Sequence, residues 1–403
     1  VHFEHGWNHL DLHGKGGVNL TGCAAAAGLY VHVPFCRRKC LYCDFYSITD
    51  RSRLPAFLEA LALEAALVGR LPGPFDTVYL GGGTPSCLDL RQMETLLQSV
   101  FFRLPVLPEA EITLEANPGS LTLQRCRALH GMGIGRLNVG VQSFDDRILT
   151  FLGRSHTARQ ARRVLGDARK AGFASLGLDL IFGVPNQTRA QWALDLESAL
   201  AYGPEHLSCY MLTYEKDTPL ERLRRQRAFV PPSEAAVGKL FVFTSRFLQD
   251  KGYVHYEISN FARGWENVSR HNTKYWSFAP YLGLGPSAHS FSGNERWWNT
   301  SSLDEYTRLL AAGRSPVSGQ ERLSRRQQML EWILLGLRQK EGIRILPFEK
   351  RFSVDFWGTF GEVTERLRDK GMLQEREGRC ALTLKGMLYL DSVVDRMGLM
   401  IDP

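Results

Sequence analysis

From Leu29 onward the apolar positions of the chain switch repeatedly between two periods. Short runs rich in Val, Ile, Leu and Tyr predict strands at Leu29–Val33, Thr77–Leu80, Glu111–Glu115, Arg136–Val141, Leu176–Ile181 and His206–Tyr210. Between them apolar residues recur every three or four positions, which predicts helices near Leu54–Val68, Leu90–Phe102, Leu121–Met132, Ala158–Ala171 and Ala190–Tyr202. Repeated strand–helix units imply a parallel sheet with its helices outside. Six such units are too few for a closed eight-stranded barrel and suit a partial (β/α)6 TIM-like barrel. Periodicity alone also allows a doubly wound sheet.

Beyond Tyr210 the rhythm changes. Residues 231–313 combine one helical run, Ser233–Lys251, with segments rich in Gly, Asn and aromatic residues. A helix is predicted over Arg322–Arg338 and another over Val363–Lys370. A turn at Glu375–Arg379, a strand at Ala381–Leu384 and a last helix follow. That order suits a small C-terminal α+β, winged-helix-like domain. The chain therefore divides into an extension (1–28), a barrel (29–232), a linking region (233–320) and a C-terminal domain (321–403). The extension has one Lys and no Arg, which makes it a poor transit peptide and predicts a loose segment.

Composition narrows the class. Of 403 residues, 44% are hydrophobic and 23% charged, as in ordinary globular proteins, and no apolar run approaches the roughly 20 residues of a membrane span. The formal net charge of +7 is modest. The densest basic run, Arg222–Arg227, lacks interleaved aromatics and reads as a solvated helix end rather than a nucleic-acid surface. Five of the eight cysteines (Cys23, Cys87, Cys126, Cys209, Cys380) are scattered without framework spacing, which implies a reducing compartment and a cytoplasmic location.

The other three, Cys36, Cys40 and Cys43, fall within one loop after the first strand. Thiolates select zinc, copper(I) or iron–sulfur clusters, and a closed site of either common kind takes four protein ligands. A fourth ligand is missing nearby, since Asp44 and Phe45 follow and the next cysteine is Cys87. A cube of four irons on three cysteines leaves one iron open. The plainer alternatives are a zinc knuckle, which usually pairs two CxxC-like halves, or a disulfide pair. Downstream, Gly81-Gly82-Gly83-Thr84-Pro85 ends the second strand, and its free amide N–H groups are expected to hold a carboxylate or amine partner. Glu115, Gln142 and Asp179 stand at successive strand ends, at the mouth of such a barrel. Taken singly, each of these is more often a turn, a cap or a satisfied core group. Arg154, in Leu152-Gly153-Arg154-Ser155-His156, has the guanidinium fork that reads a carboxylate.

The spacing CxxxCxxC followed by Gly-Gly-Gly-Thr-Pro resembles the radical S-adenosylmethionine (SAM) superfamily. The resemblance implies a [4Fe-4S] cluster whose open iron is chelated by SAM and whose electron cleaves SAM to a 5′-deoxyadenosyl radical. The runs YVHVPFC, GGGTPS, EANP, GVQSFDD, LGRSH, DLIFGVPNQT and YEISNFAR resemble the HemN/HemW group of that superfamily, from about Leu29 to the C-terminus. That group includes oxygen-independent coproporphyrinogen III oxidases, which decarboxylate two propionates, and haem chaperones. Carried over by position, the cluster ligands are Cys36, Cys40 and Cys43. The SAM contacts are Tyr30, Tyr42, Gly82, Gly83, Thr84, Glu115, Gln142, Arg154 and Asp179.

Two features place the chain on the chaperone side of the resemblance. Phe45 stands where the oxidases carry an extra cysteine, and His271-Asn272-Thr273-Lys274-Tyr275-Trp276 matches the HNxxYW motif associated with haem. The expectation is haem held axially by His271, or alternatively Tyr275, with Arg270 and Lys274 on the propionates. Read alone, such a histidine is a buried group capping a turn. His289 is expected to be structural or a pocket wall. No catalytic residue is assigned. The implied partners are haem, haem-acceptor proteins and an electron donor such as flavodoxin or ferredoxin. Nucleic acid is not among them, and a membrane is met only through transient contact with an acceptor. A methylthiolating or tRNA-modifying enzyme is disfavoured, since no RNA-binding extension is recognisable.

Overall fold

A computed structural model describes residues 26–69 and 73–401. The proposed loose extension lies almost wholly outside the described residues. All six expected strands form, as β1 (Ala27–Val33), β2 (Phe75–Gly82), β3 (Val106–Ala116), β4 (Arg136–Gln142), β5 (Ser175–Phe182) and β6 (His206–Met211). They lie side by side in sequence order and pair in parallel. This is the partial barrel rather than a doubly wound sheet, whose strand order would reverse at a switch point.

The sheet continues at both edges. Strands β7 (Val254–Glu257) and β8 (Asn260–Ala262) extend it beyond β6. On the other side β9 (Tyr281–Leu284) pairs in parallel with β1, followed by antiparallel β10 (His289–Ser292), β11 (Glu295–Asn299) and β12 (Val317–Arg322). The interval expected only to link two domains thus completes a twelve-stranded sheet. These strands run from 3 to 6 residues, too short to display a period. β12 also takes Arg322 from the expected helix, which begins at Arg325 after the Ser324 cap.

The two faces of the barrel strands differ chemically. On β1, Leu29, Val31 and Val33 are fully buried under the outer helices, while Tyr30 and His32 alternate with them and face inward. Outer helices begin where sequence caps occur: Asp89, Thr157 and Thr188 each close a capping box with a glutamine three residues on, as Ser324 does for the first helix after the barrel. Helix Leu54–Leu67 carries a buried carboxylate, Glu64. It accepts bonds from the Gly285 amide (2.8 Å), Asn299 Nδ2 (2.5 Å) and the Tyr306 hydroxyl (2.5 Å), and burial pushes its pKa up to about 7. This carboxylate ties the added strands to the barrel wall.

Helix Arg325–Arg338, β13 (Ile343–Arg344), helices Ile345–Phe352 and Phe356–Asp369, then β14 (Leu373–Arg376) and β15 (Arg379–Leu382) form the C-terminal unit. Its antiparallel sheet runs β13–β15–β14, an order compatible with a winged helix. The basic run caps helix Pro219–Arg225, where Arg224 and Arg225 pair with Glu221 at 2.5 and 2.8 Å, as a solvated helix end does. Among the described residues no helix is long and apolar enough to cross a membrane.

Candidate cofactor site at the barrel mouth

The chain leaves the top of β1 into the cysteine loop, which is pinned at several points. Cys36 N donates to Ile48 O (2.9 Å) and Ile48 N to Pro34 O (2.7 Å). Leu41 is held between Leu152 O (3.2 Å) and Leu220 N (2.9 Å). All seven cysteines in the described residues are free thiols, so the loop is not a disulfide staple. Cys36 is buried against Thr84 Oγ1 (3.4 Å), Cys40 Sγ lies 3.3 Å from Arg154, and Cys43 N closes a turn on Cys40 O (3.3 Å). Burial raises the Cys43 thiol, and the neighbouring Cys40 and Cys36 raise it further. Among the described residues no three His, Cys, Asp or Glu side chains close on a single ion. Three soft thiols on one loop, without a fourth such side chain beside them among the described residues, suit a cluster better than a zinc knuckle, which wants four ligands around one ion.

The glycine motif latches onto this loop. Gly82 has φ +103°, and a Cβ there would lie 2.6 Å from the His32 ring. At Gly83 a Cβ would meet Phe35 O at 2.8 Å. The expectation of free amides is corrected here. Gly83 N already donates to Val33 O (2.9 Å), Thr84 N to Phe35 O (2.8 Å) and the Gly82 amide to Glu115. The motif holds the cysteine loop against β2 instead of offering a nest of N–H groups.

Arg154 stands at the centre of the mouth. Its guanidinium reaches Cys40 Sγ and the Tyr42 hydroxyl, both at 3.3 Å, Gly140 O at 2.6 Å, and Asn117 Oδ1. Asn117 in turn donates to Thr84 Oγ1 (3.0 Å), which touches Cys36. Cys36, Cys40, Tyr42, Thr84, Asn117 and Arg154 therefore form one hydrogen-bonded set. Below it lie the carboxylates. Glu115 accepts from Tyr79 (2.7 Å), and burial lifts its pKa to about 7. Asp179, also raised by burial, accepts from Asn138 Nδ2 (2.8 Å). Tyr30 stacks on Tyr79, and its hydroxyl is already bonded to His32 Nδ1 (3.1 Å). Gln142 sits beside Gly140 in a left-handed conformation, φ +68°.

Three buried polar atoms in this set have no partner: Gln142 Oε1, Arg154 Nε and Asp179 Oδ1. A buried orphan costs about 1–3 kcal/mol, so three together favour a polar ligand that would satisfy them. A ligand with an amine, a carboxylate and ribose hydroxyls, as SAM has, matches that demand. Residues missed by the sequence reading are Asn117, His32, Tyr79 and Asn138. A usable signal existed, because each alternates with an apolar residue on its strand or strand end.

His271 and Tyr275 are not at the mouth. Helix Arg270–Trp276 closes the opposite end, next to the strand starts at Gly28, Thr77 and Glu111. His271 is buried, stacked on Tyr79, and both ring nitrogens are used, Nδ1 with Thr77 Oγ1 (2.9 Å) and Nε2 with the Tyr275 hydroxyl (2.8 Å). Burial, then Lys274, lowers its pKa to about 3. Arg270 and Lys274, expected on propionates, pair with Asp76 at 3.3 and 2.7 Å. The open haem-facing pocket expected of this stretch is thus replaced by a packed barrel floor. His289 is exposed and stacks on Trp298. Replacing His271 by Ala empties a core site and orphans two hydroxyls. The expected loss of stability is about 2–4 kcal/mol, read as a lower denaturation midpoint.

Comparison with known proteins agrees with this architecture. Residues 30–199 match the radical SAM superfamily and residues 323–389 the HemN C-terminal domain. The heme chaperone HemW of Synechocystis is 36% identical over 91% of this chain and 95% of its own length. That of Bacillus subtilis is 33% identical over 90% and 97%. A bovine mitochondrial protein, radical S-adenosyl methionine domain-containing protein 1, is 32% identical over 91% and 86%. The Escherichia coli coproporphyrinogen III oxidase HemN superposes with a TM-score of 0.79 over 93% of this chain and 91% of its own, at 23% identity, which speaks for the fold alone. Full-length likeness at this level, joined to the three-thiol loop and its latched glycine motif, shows that this chain belongs to the HemW family of radical SAM proteins.

Proposed function

We propose that the chain is a haem chaperone, binding haem and delivering it to haem-requiring proteins, with a [4Fe-4S] cluster and SAM at the barrel mouth. The observation that carries the cofactor part is the hydrogen-bonded set linking Cys36, Cys40, Thr84, Asn117 and Arg154, with unpartnered polar atoms beside it. The haem part rests on the relatives that bear that name. When bound, the cluster supplies single electrons to SAM. The protein's own side chains hold the thiols apart, satisfy SAM's polar groups and keep Glu115 and Asp179 away from water. The loop residues Arg37, Arg38 and Lys39 are exposed beside the cysteines, which suits an acidic electron donor such as flavodoxin or ferredoxin. We place the activity in the cytoplasm, in keeping with the free thiols, with any membrane contact made through the acceptor.

Ligation of haem iron by His271 or Tyr275 would require the floor helix to open, breaking the bonds to Thr77 and within the pair. A His271→Ala protein with an unchanged denaturation midpoint and a lost Soret shift would restore His271 as the axial ligand. The rival reading is the oxidase. Phe45, 67% exposed beside the cluster loop, stands where its extra cysteine would be. Reduced, cluster-loaded protein incubated with SAM and coproporphyrinogen III is expected to form no protoporphyrinogen IX above background by mass spectrometry. Sustained product would replace the chaperone reading with the oxidase.

A further inference from the structure

A groove of about 1050 Å3 runs along the rim of the barrel mouth, away from the floor helix. Its walls come from three separate parts of the chain. The ends of β5 and β6 contribute Val184, Met211 and Tyr214, helix Glu234–Asp250 contributes Phe243, and the C-terminal unit contributes Leu388 and Tyr389. Met211 and Tyr389 are exposed apolar or aromatic surface at 37% and 47%. Around these walls stand four cations, Arg189, Lys239, Arg246 and Lys385, against a single acid, Glu234. None of the four is in an ion pair among the described residues. Arg189 lies over the Phe243 ring, and Lys385 donates to Lys370 O.

Two further observations point to a ligand. The buried Tyr214 hydroxyl and Gln187 Nε2 both line the groove, and neither has a partner. Leaving them so costs about 1–3 kcal/mol each. The back of the groove is also shared with the cluster loop: Leu41 and Tyr42 pack in the same apolar cluster as Val184, Leu212 and Tyr214. An occupant would therefore press on the loop that carries the cysteines.

We infer that this groove is the haem site: its apolar and aromatic walls take the macrocycle, its cations take the two propionates, and the floor helix is left intact. The inference rests on the chaperone reading and gives it a location. The chemistry argues for this occupant. The volume stands at the upper end of pockets for drug-sized ligands, about 300–1,000 Å3, so it suits a large planar molecule. An excess of unpaired cations beside apolar walls selects a dianion with an apolar body, and guanidinium groups read carboxylates well. A neutral lipid or peptide would leave the cations unused. The Met211 thioether at the end of β6 offers iron an axial donor of a known kind.

The test is a haemin titration of the full, cluster-loaded chain, followed at the Soret band. Lys239→Glu combined with Arg246→Glu is compared with a charge-matched control, Arg91→Glu combined with Arg103→Glu on helix Leu90–Arg103. All four positions are exposed, and cluster absorbance and denaturation midpoint report folding. The groove variant is expected to bind haem at least about tenfold more weakly while the control stays within about twofold of wild type. Equal binding by all three proteins, or equal weakening in both variants, would overturn the groove and leave the chaperone reading standing. Failure of the wild-type chain to bind haem would sink that reading itself.

Discussion

Cys40→Ser is expected to abolish the iron–sulfur centre almost completely. Three thiols are the whole protein ligand set of the proposed cluster, so losing one leaves two irons without protein ligands. A hydroxyl does not replace a thiolate as a soft donor at neutral pH. Cys40 also has the only sulfur contacting Arg154 among the described residues, at 3.3 Å, so the loop loses its tie to the mouth. After anaerobic reconstitution, iron and sulfide should fall to near background, the reduced-state electron paramagnetic resonance signal should vanish, and the shift caused by SAM should go with it. Cys87→Ser, by contrast, should keep the cluster, since Cys87 points its thiol at Phe35 O (3.6 Å). A Cys40→Ser protein with normal iron content would remove the three-cysteine assignment.

Arg154→Met is expected to separate SAM binding from cluster assembly. The guanidinium is enclosed by Cys40, Tyr42, Asn117 and the Gly140 carbonyl, and its Nε remains without a partner. A hydrogen bond to a charged group contributes about 1.5–3 kcal/mol. At about 1.4 kcal/mol per decade, losing one such bond to a ligand carboxylate weakens SAM about ten- to a hundredfold. Methionine keeps most of the volume, so the cluster should still reconstitute. Arg154→Lys should recover little, because a point ammonium cannot bridge four groups as the planar fork does. Calorimetric titration of cluster-loaded protein with SAM measures this. Wild-type affinity in Arg154→Met would mean that the arginine only braces the cysteine loop.

The interior of the barrel explains why some of these residues were legible and others not. Glu115 and Gln142 stand at the ends of β3 and β4 and Asp179 lies within β5, each beside apolar neighbours that mark its strand, so local periodicity puts them on the interior face of the barrel. Asn117 and Asn138 stand in the same alternation, yet nothing local says that one bridges Arg154 to Thr84 and the other holds Asp179. The glycine motif was found for its freedom and misread in its use. Its amides were expected to face a ligand and instead face Val33, Phe35 and Glu115.

What the sequence by itself determined is the six parallel strands, the starts of the outer helices and the three-thiol loop. Each of these is encoded within a dozen or so residues, by apolar period, capping pairs and ligand spacing. Tertiary structure alone decided the fate of residues 254–322, whose short strands gain their hydrogen bonds only by adding to an existing sheet edge. It also decided the environment of His271. Its partner Thr77 lies 194 residues away, and the motif carries no trace of that distance. A histidine beside aromatic residues reads the same whether it faces a ligand or closes a barrel floor. Only the packing that takes both ring nitrogens and removes them from water tells the two apart.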